Sequence, residues 1–162
     1  MKKTFSIIMC ALLSICSAWA QEGPVIKKFI FDDSAIINGM SDNGQYACAN
    51  AFNTEDALIQ QGARLIEIDT EKVTDLTANH GTFASMGTAD VTNDGSIVVG
   101  ELNHKPAYWS KATGKWSHLA CEDSEYYGEV NAITPDGKYA VGRQSIDEDG
   151  FYSLPALWDM TT

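Results

Sequence analysis

Short apolar runs rich in β-branched and aromatic residues alternate with turn residues along most of this chain. Ser96-Ile97-Val98-Val99-Gly100 follows Asn93-Asp94-Gly95, and Lys138-Tyr139-Ala140-Val141-Gly142 follows Pro135-Asp136-Gly137. A less regular copy, Gln45-Tyr46-Ala47-Cys48-Ala49, follows Asp42-Asn43-Gly44. Asn or Asp before Gly is a strong short-range hairpin signal, because Gly and Asn tolerate positive φ. A further short strand precedes each turn, over residues 36–40, 89–91 and 131–133. The pattern predicts one hairpin per copy, with Gly44, Gly95 and Gly137 as the structural turn residues.

The copies extend beyond the hairpin. A third strand reads Pro106-Ala107-Tyr108-Trp109 in the second copy and Pro155-Ala156-Leu157-Trp158 in the third. A fourth strand runs from Lys72 in the first and from Lys115 in the second. The turn glycines are spaced by 51 and 42 residues. Four short antiparallel strands at a period of about 40–50 residues describe a propeller blade. The expected fold is therefore all-β, a β-propeller-like array of about three units over 35–86, 87–128 and an incomplete 129–162. A leading strand is expected over 25–34. The alternative from the same strands is a small closed β-barrel or sandwich. An open stack leaves apolar sheet faces uncovered, so self-association is expected.

The first 20 residues read differently. Lys2 and Lys3 form a basic start, residues 5–15 an apolar stretch, and Ser17-Ala18-Trp19-Ala20 an A-x-A cleavage site. Cleavage is expected between Ala20 and Gln21, giving a mature domain over 21–162. Two alternatives are a lipoprotein anchored at Cys16 and an uncleaved N-terminal anchor. Beyond that stretch no apolar run approaches the 18 residues of a membrane span, so no insertion of the mature chain is expected. The expected address is secreted, periplasmic or cell-surface.

Charge narrows the partners. Without Lys2 and Lys3, nine Lys and Arg face 22 Asp and Glu, a formal charge of −13. Nucleic acid is disfavoured, because its binding needs clustered cations to neutralise phosphates. Cys48 and Cys121 remain in the mature part. They read either as a disulfide or as two small buried apolar residues.

Candidate chemistry is sparse. Asp147-Glu148-Asp149-Gly150 suggests a hard-cation loop, but Ser145 and Ala156 stand where further oxygen ligands would be needed. His80, His104 and His118 lack metal-ligand spacing. No G-x-S-x-G is present, and the glycines sit singly at turns instead of forming a phosphate loop. No catalytic, cofactor-binding or metal-ligating residue is assigned, and no cofactor is expected. Trp109, Trp116 and Trp158 recur at strand positions, fitting either inter-unit packing or a sugar platform. Tyr126-Tyr127 is the candidate recognition patch, since aromatics with a polar tip favour interfaces.

Residues 35–162 resemble the extracellular HAF-repeat proteins of bacteria. The matching residues are Asn131-Ala132-Ile133-Thr134, Asp136-Gly137-Lys138-Tyr139-Ala140-Val141-Gly142 and Pro155-Ala156-Leu157-Trp158. Pro stands where that family has His. The TPDGKYAVG stretch, residues 134–142, is also similar to repeats of the periplasmic Tol-system propeller. Both resemblances imply an exported, repeat-built β protein and transfer no catalytic residue. The expected function is a secreted or cell-surface, non-catalytic module that binds a protein or glycan. The alternatives are the propeller portion of a secreted hydrolase and a structural envelope component.

Overall fold

The computed structural model describes residue 29 and residues 34–52, 60–77, 86–121, 127–147 and 152–161. The signal stretch, the cleavage site at Ala20 and Gln21, and residues 25–28 and 30–33 of the leading strand lie outside these. Among the described residues, eleven strands form three antiparallel sheets. The first contains β1 (Ser34–Met40), β2 (Tyr46–Phe52), β3 (Gln60–Glu67) and β4 (Lys72–Asp75) in that order. The second contains β5 (Met86–Val91), β6 (Ile97–Leu102), β7 (Lys105–Ser110) and β8 (Lys115–His118). The third has β9 (Gly128–Ile133), β10 (Tyr139–Ser145) and β11 (Ser153–Asp159), with β10 central. The small closed barrel is not formed: among the described residues each sheet is a separate meander whose strands pair only within it, and three sheets lie in series.

The sheets stack face to face, and the middle one is covered on both sides. Val98, Ala107 and Trp109 join Cys48, Leu65 and Leu76 in a core between the first and second sheets. Ile97, Val99 and Tyr108 join Val130, Ile133 and Trp158 in a core between the second and third. Residues 97, 98 and 99 thus alternate between two interiors, as the two-residue period of a strand requires. An unbroken apolar run is what a strand buried on both faces needs. Trp116 and Trp158 are buried, and each donates its indole N–H to the preceding sheet. Trp116 Nε1 reaches the Leu76 carbonyl at 3.2 Å and Trp158 Nε1 the Ala120 carbonyl at 2.8 Å. These indoles are inter-sheet packing, not a sugar platform.

The repeated turn is built the same way three times. The hydroxyl of Ser41, Thr92 or Thr134 donates to the side-chain oxygen of Asn43, Asp94 or Asp136 at 2.8 Å. The same hydroxyl accepts the backbone N–H of Tyr46, Ile97 or Tyr139 at 3.0–3.1 Å. That side-chain oxygen also accepts the N–H two residues on, from Gln45, Ser96 or Lys138. Gly44, Gly95 and Gly137 close the turns at φ of 70°, 66° and 74°. Successive turns are linked. Asn43 donates twice to Asn93, its N–H to Oδ1 and its Nδ2 to the carbonyl, and Asn93 N–H donates to the Pro135 carbonyl.

A second device also recurs. In every sheet the first strand carries one extra residue against the second: Asn38, Ala89 and Asn131. Such a bulge bends and twists the strand. It brings the backbones so close that a Cβ on Gly100 would strike the Gly87 carbonyl, and one on Gly142 the Glu129 carbonyl. This is why the runs end in Val-Gly at those positions.

Candidate functional site

The hairpin turns gather at one end of the sheets. At the opposite end, a polar cleft of about 200 Å³ opens between the first and second strands of neighbouring sheets. Its walls carry Asn38 and Asn50 from the first sheet, Thr88 and Glu101 from the second and Glu129 from the third. The floor is rigid. Asn50 and Thr88 are both buried, and Asn50 Oδ1 accepts the Thr88 N–H at 2.6 Å and its hydroxyl at 2.8 Å. Asn38 Nδ2 donates to the Thr88 carbonyl at 3.0 Å. Glu129 pairs with Arg143 Nε at 3.0 Å, partly balancing its charge.

Asn50, Glu101 and Arg143 occupy the same position in their three sheets. Each directly follows the small residue opposite the bulge, namely Ala49, Gly100 or Gly142. The repeat therefore places a different polar group at one structurally equivalent place in each sheet. An amide, a carboxylate and a guanidinium result, so the repeat fixes position and the sequence varies chemistry.

Aromatic side chains stand at the same end. Tyr127, two residues before Glu129, is about half exposed. Its ring meets His104 edge to face, with centroids 5.3 Å apart and planes at 81°. His104 lies in the two-residue turn between β6 and β7, where Asn103 and His104 have φ of 53° and 62°. Both in this region mark a type I′ turn, which usually recruits Gly or Asn, so His104 is held in a strained backbone. The His104 carbonyl accepts the Gly128 N–H at 2.8 Å, tying that turn to the start of β9. Ser145 links the neighbouring loop: its N–H donates to the Tyr127 carbonyl and its hydroxyl to that of Tyr152. Tyr152 is 71% exposed, the most exposed of the large apolar and aromatic side chains described.

The other sequence-derived candidates fall as follows. Tyr126 lies outside the described residues, as do His80, Glu148, Asp149 and Gly150. Asp147 serves a turn: Oδ1 accepts the Ser145 hydroxyl at 2.9 Å and the Tyr152 N–H at 3.3 Å. Among the described residues no three His, Cys, Asp or Glu side chains converge on a possible metal position. Cys48 and Cys121 are free thiols and not a disulfide. Burial pushes the Cys48 thiol up to about 11 and also raises Cys121, where Lys105 opposes the shift. Both thiols therefore stay protonated and poorly nucleophilic at neutral pH. Sequence reading missed the cleft, His104 and Tyr152. The signal lay in aligning the units one residue past Ala49, Gly100 and Gly142.

No protein-family model matches the chain, and no curated protein sequence matches it. Solved structures do. A protein assigned as TolB from Agrobacterium tumefaciens superposes with a TM-score of 0.56 at 17% identity, covering 80% of this chain and 47% of that one. An oligogalacturonate lyase from Vibrio parahaemolyticus gives 0.50 at 12%, covering 77% and 36%. TolB from Acinetobacter baumannii gives 0.49 at 18%, covering 81% and 30%. This chain thus spans less than half the length of each. At such identities the first two likenesses show the fold alone: three consecutive blade-like sheets of a β-propeller type.

Proposed function

We propose that this chain is an exported, non-catalytic propeller module that binds a neutral or amino-sugar glycan at its loop end. One observation carries the reading: amide and carboxylate groups line a cleft towards the same end of the sheets at which Tyr127 and Tyr152 are exposed. Sugar hydroxyls need such hydrogen-bonding side chains, and sugar rings pack on aromatic faces. Export rests on the basic start, the apolar stretch and the A-x-A site of residues 1–20. Membership of the HAF-repeat proteins rests on the residues quoted for it above.

The lyase neighbour is named for oligogalacturonate, an anionic substrate. Glu101 and Glu129 on the cleft walls and a strongly acidic chain disfavour that substrate class here. Titration calorimetry of the purified chain against neutral and amino-sugar oligosaccharides tests the proposal. Binding should weaken at least about tenfold in Tyr127→Ala, or ~1.4 kcal/mol. It should be unchanged in Lys72→Ala, at the opposite end. Absence of heat with every oligosaccharide, or tighter binding of oligogalacturonate, would sink the reading.

A further inference from the structure

The two internal sheet junctions are copies of one another. In the first, Tyr46, Cys48 and Leu65 of the first sheet receive the inner strand β5 of the second. In the second, Ile97, Val99 and Tyr108 receive β9 of the third. The receiving residues occupy equivalent positions on the second and third strands, as the pairings of Cys48 with Leu65 and Val99 with Tyr108 show. The docking residues match too: Val91 and Ile133, the last residues of β5 and β9, enter the two cores. A turn glycine completes each junction. Gly95 lies against the Tyr46 ring, and Gly137 against Ile97 and Thr92.

The same positions recur once more, without partners among the described residues. On the third sheet Tyr139, Val141 and Leu157 are the receiving set, and all are exposed, Leu157 at 68%. On the first sheet β1 is the docking strand. Its Ile37 and Met40 match Thr88 and Val91 of β5, yet Met40 is 59% exposed. Gly44, unlike the other two turn glycines, has nothing within 4 Å of its Cβ direction. One end of the stack therefore carries an unfilled receiving surface and the other an unfilled docking strand and turn. They are the two halves of a junction already made twice.

We propose that a second copy of this chain docks head to tail, its β1 and Gly44 turn seated on Tyr139, Val141 and Leu157. Behind β1, Ala47 and Ile66 are already buried, so the contact is made by β1 and the turn. A head-to-tail contact either closes or propagates. Two copies of the three described sheets make six, within the usual propeller range of 4–8 blades, so two reciprocal junctions close a ring. The covered face lies on the side of the third sheet away from its core, leaving the loop end open to solvent. The proposal stands independently of any glycan.

Sedimentation equilibrium of the purified chain and of two variants tests this. Leu157→Lys disables the receiving face and Met40→Lys the docking strand. Both side chains are exposed, so each variant should keep the near-UV circular dichroism of the parent. The parent should sediment at twice the monomer mass and each variant as a monomer. Mixing the variants leaves one junction intact, between Met40 of one and Leu157 of the other, so mixed dimers should reappear at higher concentration. A parent that stays monomeric up to about 100 µM, a weak-association limit, would overturn the proposal. So would loss of the dimer in Leu157→Lys alone with no recovery on mixing, which would mean third sheets meeting face to face. Mass growing beyond two copies would overturn ring closure.

Discussion

The ring of Tyr46 in the first sheet occupies the space a side chain on Gly95 of the second would need. A Cβ there would stand 2.6 Å from Cδ1 and Cε1 of the tyrosine. A residue chosen for its turn conformation thus also sets how closely two sheets approach. The link runs from one glycine, through a hairpin, to the packing that defines the stack.

Gly95→Ala and Gly44→Ala separate those two roles. Both residues have positive φ, which costs an L-residue about 1–2 kcal/mol. Within one copy nothing lies within 4 Å of the Gly44 Cβ position, so with both alanines compared in the monomeric Leu157→Lys background, that at Gly44 should cost about 1 kcal/mol. At Gly95 the Tyr46 ring must also move, and overpacking adds typically about 1–3 kcal/mol. Urea denaturation should place Gly95→Ala below Gly44→Ala by at least about 1 kcal/mol. Equal losses would mean that the ring yields freely and that the contact sets nothing.

Much of the turn end was legible because it is local. Ser or Thr, then Asn or Asp, then Gly specify the hairpin within four residues, whatever packs around it. The bulges at Asn38, Ala89 and Asn131 were not legible, because they exist only in the register between two strands. The cleft was hidden for a related reason. Asn50 and Thr88 lie 38 residues apart and meet only when sheets stack, and neither residue type is unusual alone. Tyr127 was visible as an aromatic with a polar tip. Its neighbour His104 was not, since an Asn-His pair gives no standard I′ signal.

Glu71 offers a substitution that should stabilise. It sits in the β3–β4 turn at φ 56°, where the equivalent β7–β8 turn has Gly114 at φ 66°. Relieving the left-handed strain outweighs the extra freedom glycine brings to the unfolded chain. Glu71→Gly should raise stability by about 0.5–1 kcal/mol in urea melts. The converse, Gly114→Glu, should lower it by a similar amount. A destabilised Glu71→Gly would show that the Glu71 side chain has a role the turn conformation conceals.

The turns should also weaken in acid. The Lys138 ammonium, then the Thr134 hydroxyl, hold Asp136 down to about 2, and hydrogen bonds led by Ser96 lower Asp94. A carboxyl whose folded pKa is depressed contributes stability above its unfolded value, near 3.8. That contribution disappears as pH falls through the folded pKa. Thermal melts should therefore drop in midpoint from about pH 4 towards pH 2. Asp136→Asn should flatten the drop but not abolish it, because Asp94 titrates in the same direction. Both groups are exposed, so the effect should shrink in high salt. A midpoint constant across that window would contradict the assignment.

Asn50 is the residue on which cleft and stack depend together. It is 3% exposed, and its Oδ1 holds both the N–H and the hydroxyl of Thr88 across the first junction. Asn50→Ala leaves two buried donors without their acceptor, and each unmet donor costs about 1–3 kcal/mol. The expected loss is about 2–4 kcal/mol, reduced if water enters the adjoining cleft. Thr88→Val removes only the hydroxyl, leaves the N–H bond and nearly preserves shape, so it should cost about 1 kcal/mol. If the double variant loses less than the sum of the two, the shared hydrogen bond is confirmed as a coupled interaction. Strict additivity would mean that Asn50 and Thr88 contribute separately and that the first junction rests on its apolar core and its other hydrogen bonds, such as Trp116 to Leu76 and Asn43 to Asn93.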